Sequence, residues 1–271
     1  MLYATKHLSA LEHPTLEAEL LLSHALQKPR STLLAWPQQT LTQLQQTQFV
    51  HILTRRQNGE PLAYITGYKE FWSMNLQVTP AVLIPRPETE ILVEIALTHL
   101  APNSTFKVLD MGTGSGAIAL AIKKERPLSQ IIATDISTAA LAVARDNARH
   151  HQLPIEFLHG DLWEPVAGQY FNLILSNPPY VDKNDPCLNN NELRFEPITA
   201  LAAAQQGLEL LQKIITSAPD YLYNNAWLLL EHGLDQHQPL AIALTQRGFV
   251  DINHHNDYSG IKRCVSARWP G

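Results

Sequence analysis

Three kinds of apolar spacing follow one another along this chain. Through residues 1–60 the period is helical: Leu16, Leu20, Leu21 and Ala25 recur behind Pro14, and Leu41, Leu44, Gln48 and Ile52 follow a Thr40 cap and run to Gly59. The stretch QQTLTQLQQTQ is rich in glutamine, yet its leucines keep a periodic stripe, which predicts a small helical bundle rather than a low-complexity segment. Between Tyr64 and Leu83 the period falls to two, with Phe71, Ser73, Asn75 and Gln77 opposed to Trp72, Met74, Leu76 and Val78. Bounded by Gly67 and Pro80, this pattern predicts a β-hairpin linker over residues 61–86.

From Pro87 onward a helix, ETEILVEIALTHL, leads into strand and helix signals in strict alternation: FKVLDM, GAIALAIKKER, QIIATDI, TAALAVARDNARHH, IEFLHG, FNLILSN, GLELLQKIITSA, WLLLEHG and QPLAIALTQRG. Strands apolar along their whole length, separated by amphipathic helices, predict an α/β domain over 87–271 with a doubly wound, mostly parallel sheet. The end differs. GFVDINHHND and KRCVSARW are separated by a loop alone, which predicts an antiparallel C-terminal strand.

Composition narrows the partners. The chain has 271 residues, 45% apolar and 17% charged, enough for a full core and unlike a disordered chain. Twenty Lys and Arg against 25 Asp and Glu leave a formal charge of −5, so no basic excess favours stable binding of nucleic acid. Cys187 and Cys264 are too few and too far apart for a disulfide framework or a Cys-based metal site. The paired histidines His150–His151 and His254–His255 lack metal-ligand spacing, so no metal is expected. The opening MLYATKHLSALEHP carries charge before any signal-like apolar run, and no stretch reaches membrane-spanning length. A cytoplasmic protein without a membrane partner is expected.

Two motifs carry chemistry. The first strand of the α/β domain ends in Asp110-Met111-Gly112-Thr113-Gly114-Ser115-Gly116 and opens a helix, the place where a doubly wound fold binds a nucleotide. The third glycine arrives one residue too early for a dinucleotide fingerprint. Asp110 before the turn would repel a pyrophosphate and attract an ammonium group, which favours S-adenosylmethionine over NAD. The next strand ends in Asp135, placed to accept from ribose hydroxyls. Gly160-Asp161-Leu162-Trp163 follows the third strand, offering a carboxylate for an adenine amine and a ring for the purine face.

The second motif is Asn177-Pro178-Pro179-Tyr180, at the end of FNLILSNPPY. Two prolines stop the strand and fix φ, holding the asparagine rigidly at the carboxyl edge of the sheet. The Asn177 side-chain oxygen and the Pro178 carbonyl can together accept both hydrogens of a planar –NH2 group, and Tyr180 can stack on its plane. That alignment would aim the nitrogen at an incoming methyl group without an obligatory base. The –NH2 could belong to an amide or to the exocyclic amine of an adenine or guanine in DNA or RNA.

Together the two motifs resemble a class I S-adenosylmethionine-dependent methyltransferase. The stretch GEPLAYITGYKEFWSMNLQVTPAVLIPRPETEILVE, residues 59–94, is similar to the linker and domain entry of the HemK/PrmC family, which methylates a glutamine amide of peptide chain release factors. Further matching pieces are Glu196-Pro197, Ala200-Leu201, Gly207-Leu208, Glu231-His232-Gly233, Asp257, Gly260 and Arg263, while Gln206 stands where the family usually has an acid. The resemblance implies that Gly112 to Gly116, Asp135, Trp163 and Asn177 contact the cofactor, and that Asn177, Pro178, Pro179 and Tyr180 bind the glutamine. It implies, too, that the helical bundle docks a release factor. A sister family acts on a ribosomal-protein glutamine; the PRPETE string, Pro85 to Glu90, favours release factors by the same analogy. Arg86, Glu88 and Glu90 could equally form a helix-opening charge cluster.

Overall fold

The structure is a computed structural model describing residues 2–190 and 192–271. The chain divides into two compact units, Met1–Tyr68 with Asn189–Phe195, and Lys69–Leu188 with Glu196–Gly271.

The first unit is helical. Its helices are α1 (Leu2–His7), α2 (Pro14–Leu26), α3 (Arg30–Ala35), α4 (Gln43–Gln57) and α5 (Leu62–Thr66). Pro14 opens α2 at a position that needs no N–H. The cap of α4 is Thr42 rather than the expected Thr40: its hydroxyl accepts from Gln45 N–H while the Gln45 side chain accepts from Thr42 N–H, a reciprocal capping box. Leu21, Leu22 and Leu26 of α2 pack with Phe49, Ile52 and Leu53 of α4 as the centre of this unit's core. Arg56 is buried between two acids, donating to Glu17 Oε2 at 2.6 Å and Glu192 Oε1 at 2.6 Å. Two carboxylates around one guanidinium, with the Glu60 carbonyl accepting from it too, offset the cost of removing that charge from water.

The hairpin is β1 (Tyr68–Phe71) and β2 (Met74–Gln77). Its two central residues, Trp72 and Ser73, both have positive φ, 51° and 53°, although neither is the glycine or asparagine that such a turn favours. Acids hold it in place. Trp72 N–H donates to Glu90 and Ser73 N–H to Glu70, each at 2.7 Å, and the Trp72 indole N–H donates to Glu125 at 2.9 Å. Glu90 of the PRPETE string thus fixes the turn.

The α/β unit continues with α6 (Glu90–His99), β3 (Lys107–Met111), α7 (Ala117–Glu125), β4 (Gln130–Asp135), α8 (Thr138–His150), β5 (Glu156–His159), β6 (Phe171–Ser176), β7 (Val181–Asp182), α9 (Ile198–Leu201), β8 (Ala202–Ala203), α10 (Glu209–Ser217), β9 (Leu222–Glu231), α11 (His237–Arg247), β10 (Val250–Asn256) and β11 (Lys262–Arg268). Seven strands form one sheet in the order β10-β11-β9-β6-β3-β4-β5. β9, β6, β3, β4 and β5 are mutually parallel, and β11 runs antiparallel to both β9 and β10.

The strands are apolar on both faces because both faces are covered. Val108, Leu173, Leu175 and Leu229 pack under α6 and α7, whereas Leu109, Ile174, Leu228 and Leu230 pack under α10 and α11. Successive strand residues enter opposite layers, as a period of two requires. Strand order reverses between β3 and β6, so the carboxyl edge between them is the switch point where doubly wound folds open a crevice.

Candidate active site

Parallel pairing of β3 with β4 and β6 brings three strand ends to one edge, and a cleft lies there. The turn after β3 is pinned to its neighbour: Gly112 N–H and Thr113 N–H both donate to the Thr134 carbonyl at 2.9 Å. Gly112, Gly114 and Gly116 have φ of 75°, 56° and 85°. A Cβ on Gly112 or Gly114 would project into open space, so both expose bare backbone on the cleft. Gly116 has a different role, since its Cβ would stand 3.3 Å from that of Ala144; it lets α7 approach α8 closely.

Asp135 ends β4 on the cleft wall. Its Oδ2 accepts from Gly114 N–H at 2.9 Å and its Oδ1 from Ser137 N–H at 2.8 Å. Each oxygen keeps further lone-pair capacity for a ligand hydroxyl. Burial pushes the Asp135 carboxyl above the usual range, against the lowering effect of those N–H donors. Asp110, expected to face an ammonium group, lies instead fully buried beneath the turn. Its Oδ2 accepts from the Thr113 hydroxyl at 2.6 Å and from Ala119 N–H at 3.1 Å, and burial raises its pKa to about 6. It braces the glycine turn against the start of α7.

The Asn-Pro-Pro-Tyr corner follows β6, which Ser176 ties to β3 by donating to the Met111 carbonyl at 2.8 Å. Asn177, Pro178 and Pro179 line the same cleft as Gly112, Gly114 and Asp135. The Asn177 amide donates through Nδ2 to the Thr89 hydroxyl at 3.1 Å, which leaves Oδ1 as its acceptor. Tyr180 does not line the cleft: its hydroxyl turns to Glu231 at 3.2 Å, and burial and that carboxylate push the phenol well above its ordinary pKa.

Other expected contacts are also placed off the cleft. Thr113 and Ser115 are buried, Thr113 against Asp110, while the Ser115 carbonyl accepts from Asn147 Nδ2 at 2.9 Å. Asn147 also exchanges hydrogen bonds with the backbone of Gln77, coupling the hairpin to the glycine turn. The Trp163 ring stacks on Tyr221 at 4.4 Å within the core beneath α10; Asp161 and Leu162 stand on the cleft in its place. Leu162 has φ 43°, and that left-handed conformation carries the chain past the cleft before the ring turns inward.

Several cleft residues were not among the site residues expected from the sequence: Val82 and Leu83 beyond the hairpin, Ile136, and Thr199 beside the family-matching Ala200. Ile136 had a signal in the sequence, an apolar residue directly after the strand-ending acid, and the structure leaves it 62% exposed. The PRPETE residues take definite positions. Arg86 pairs with buried Glu196, whose other oxygen accepts from Ile84 N–H at 3.0 Å, so the chain beyond the hairpin is tied to the segment after the Asn-Pro-Pro-Tyr loop. Among the described residues no group of His, Cys, Asp or Glu could hold a metal ion, and no helix is long and apolar enough to cross a membrane.

A mostly parallel seven-stranded sheet with a reversed strand near its end, a glycine turn after its central strand and an Asn-Pro-Pro-Tyr corner beside that turn define a class I methyltransferase fold. The family model described as methyltransferase small domain matches residues 88–191, and that of the PrmC N-terminal domain matches residues 1–67. The chain is 44% identical to the release factor glutamine methyltransferase of Aliivibrio fischeri, over 97% of this chain and 93% of that protein. It is 43% identical to the protein of the same name from Escherichia coli K12, over 98% and 96% of the two lengths. The fold is shared with the hMettl16 catalytic domain solved in complex with MAT2A 3′UTR hairpin 1, at a TM-score of 0.57 and 17% identity over 73% of this chain and 75% of that one. The chain belongs to the release factor glutamine methyltransferase family.

Proposed function

We propose that this chain transfers the methyl group of S-adenosylmethionine to the side-chain nitrogen, N5, of a glutamine in a peptide chain release factor, leaving N5-methylglutamine and S-adenosylhomocysteine. The observation that carries the reading is the meeting of Asn177, Pro178 and Pro179 with Gly112, Gly114 and Asp135 on one cleft. Bare glycine backbone and a carboxylate with spare acceptor capacity suit a cofactor bearing an amino-acid moiety and a ribose. Gly112 and Gly114 would lie against it and Asp135 would accept from ribose hydroxyls, with Asp161 and Leu162 further along the wall.

S-adenosylmethionine supplies an electrophilic methyl group, so what the protein must add is alignment. A glutamine amide offers two N–H donors in one plane. Asn177 Oδ1 and the Pro178 carbonyl accept them, which keeps the amide flat and turns the out-of-plane density of its nitrogen toward the methyl carbon. The nitrogen gains a carbon and releases one hydrogen as a proton. Pro178 and Pro179 restrict the backbone beneath these acceptors, so little reorganisation is needed at the moment of reaction.

In this reading residues 1–60 dock the release factor, residues 61–86 link, and residues 87–271 carry the transfer in the cytoplasm. Leu34, Trp36 and Leu44 of the helical unit are 61%, 68% and 67% exposed, apolar surface suited to a protein partner. The deciding experiment is mass spectrometry of a purified release factor after incubation with this protein and S-adenosylmethionine. One added methylene on a glutamine-bearing peptide is the expected result. Its absence, with methyl label appearing on DNA or RNA and surviving protease, would overturn the substrate.

A further inference from the structure

Part of the cleft wall is not made by strand ends. Gly112, Gly114, Asp135, Ile136 and Asn177 are set in place by β3, β4 and β6, but Ala81, Val82 and Leu83 and, from a second segment, Pro197, Thr199 and Ala200 stand outside the seven-stranded sheet. Prolines run through both segments, Pro80, Pro85 and Pro87 about the first and Pro197 at the head of the second. A proline has no N–H to give a ladder, so chain of this kind needs another anchor.

Glu196 supplies it. Its side chain is 1% exposed, and each oxygen holds a different part of the first segment: Oε1 accepts from Arg86 Nη2 at 2.5 Å and Oε2 from Ile84 N–H at 3.0 Å. Ile84 directly follows the cleft residue Leu83, and Glu196 directly precedes the cleft residue Pro197. The second segment is also fixed at its far end, where β8 pairs with β7, Val181 against Ala202 and Asp182 against Ala203, immediately beyond Tyr180. One carboxylate thereby closes a circuit from Asn177 through β7, β8 and α9 to the chain beyond the hairpin. A buried ion pair is weak evidence for stability, because desolvation offsets most of the attraction and apolar side chains of similar volume would join two segments as well. What it adds is direction: two donors on one carboxylate define a single placement of the segments, where apolar surfaces can slide.

We propose that Arg86 and Glu196 are positioning residues for the transfer: as a clamp they fix the two off-sheet walls between which the glutamine side chain reaches Asn177. This rests on the proposed transfer to a release factor glutamine. Neither residue lines the cleft, so the clamp acts through the segments it holds. Docking through residues 1–60 and cofactor binding by Gly112, Gly114 and Asp135 do not require it, whereas alignment of the substrate amide does.

The test is methyl transfer to a purified release factor by the wild type, Arg86→Met, Arg86→Lys, Glu196→Gln and the Arg86→Met/Glu196→Gln pair, with S-adenosylmethionine binding of each measured by calorimetry. Arg86→Met removes the donor and keeps an apolar stem; Glu196→Gln sets N–H groups against one of the two donors. Each should lower kcat about tenfold or more, while KM for the release factor and the affinity and stoichiometry for S-adenosylmethionine stay within about twofold. Arg86→Lys should recover part of kcat, and the pair should be no slower than Glu196→Gln alone. Wild-type kcat in Arg86→Met, a fall in kcat matched by an equal loss of cofactor binding, or a pair slower by the product of the two single losses would each overturn the clamp and leave the transfer reading standing. Absence of transfer by the wild type would overturn that reading and the clamp's role with it. Should Glu196→Gln not fold, Arg86→Met and Arg86→Lys decide, since Arg86 is partly exposed and its replacement leaves Glu196 bound to Ile84 N–H.

Discussion

Gln236 grips the backbone of Tyr180. Its Nε2 donates to the Tyr180 carbonyl at 3.0 Å and to the Gln206 carbonyl at 3.0 Å, while Oε1 accepts from Gly233 N–H at 2.8 Å. One side-chain amide thereby joins the loop after β6, the turn before α10 and the loop after β9.

Gln236→Leu would leave three backbone groups without their partner. A stability loss of about 1–3 kcal/mol is expected, with a fall in transfer because the corner carrying Asn177 loses its tether. Gln236→Glu keeps the acceptor for Gly233 and sets a carboxylate oxygen against two carbonyls, so it should be the worse of the two. Urea denaturation of both variants checks the ranking.

Gly207 and Gly114 make a contrasting pair. A Cβ on Gly207 would lie 1.9 Å from the Tyr180 carbonyl oxygen, with φ at 80°, so Gly207→Ala must push the corner aside. Gly114 has φ 56° and nothing within 4 Å of a Cβ, so Gly114→Ala meets only backbone strain of about 1–2 kcal/mol. Thermal unfolding should show the larger loss for Gly207→Ala, and calorimetry should show weakened S-adenosylmethionine binding for Gly114→Ala, whose methyl enters the cleft. Equal effects on stability would contradict the geometry.

Trp163 and Asp135 separate two ways of holding the cofactor. Because the Trp163 ring stacks on Tyr221 in the core, Trp163→Phe is expected to leave S-adenosylmethionine affinity within about twofold while altering stability by roughly 1–2 kcal/mol. Asp135→Ala, by contrast, should weaken binding about tenfold or more through loss of charge-assisted acceptors. A tenfold loss in Trp163→Phe would return the ring to the cofactor site.

Buried acids make stability fall with pH. Asp110 and Glu231 hold their protons to about pH 6 and about pH 7 in the fold, against ordinary values of 3.8 and 4.5. Between the ordinary and raised values the folded chain binds more protons than the unfolded one, so unfolding becomes easier as pH rises through that window. Glu231→Gln should therefore gain on the order of 1–3 kcal/mol over wild type at pH 8 and nothing near pH 4, read as the difference in urea midpoints. A gain of the same size at both pH values would show that its origin is not this carboxylate's ionisation.

Much of the α/β unit was legible because its strands and helices satisfy local rules. Val108, Leu109 and Ile174 are apolar regardless of which layer covers them, and Gly112 and Gly114 mark a turn that other residues strain to make. The hairpin turn was less legible, since Trp72 and Ser73 are poor turn formers rescued by Glu90 and Glu70 from outside it. Trp163 shows the limit at the site. Its neighbour Asp161 lines the cleft, and only the backbone rotation at Leu162 sends the ring into the core.

The sequence by itself determined the order of elements, the parallel sheet, the glycine turn after β3 and the proline-stopped strand that ends at Asn177, because periodicity, glycine and proline act within a few residues. Only the tertiary structure decided which groups stand behind the site. Thr89 and Asn177 are 88 residues apart along the chain (177 − 89) and Tyr180 and Glu231 are 51 apart (231 − 180), and a hydroxyl in a sequence does not say which distant amide or carboxylate it will meet. Adjacent strand ends and the turn before α6 bring these pairs together, and burial then turns a common glutamate into one that holds its proton to about pH 7.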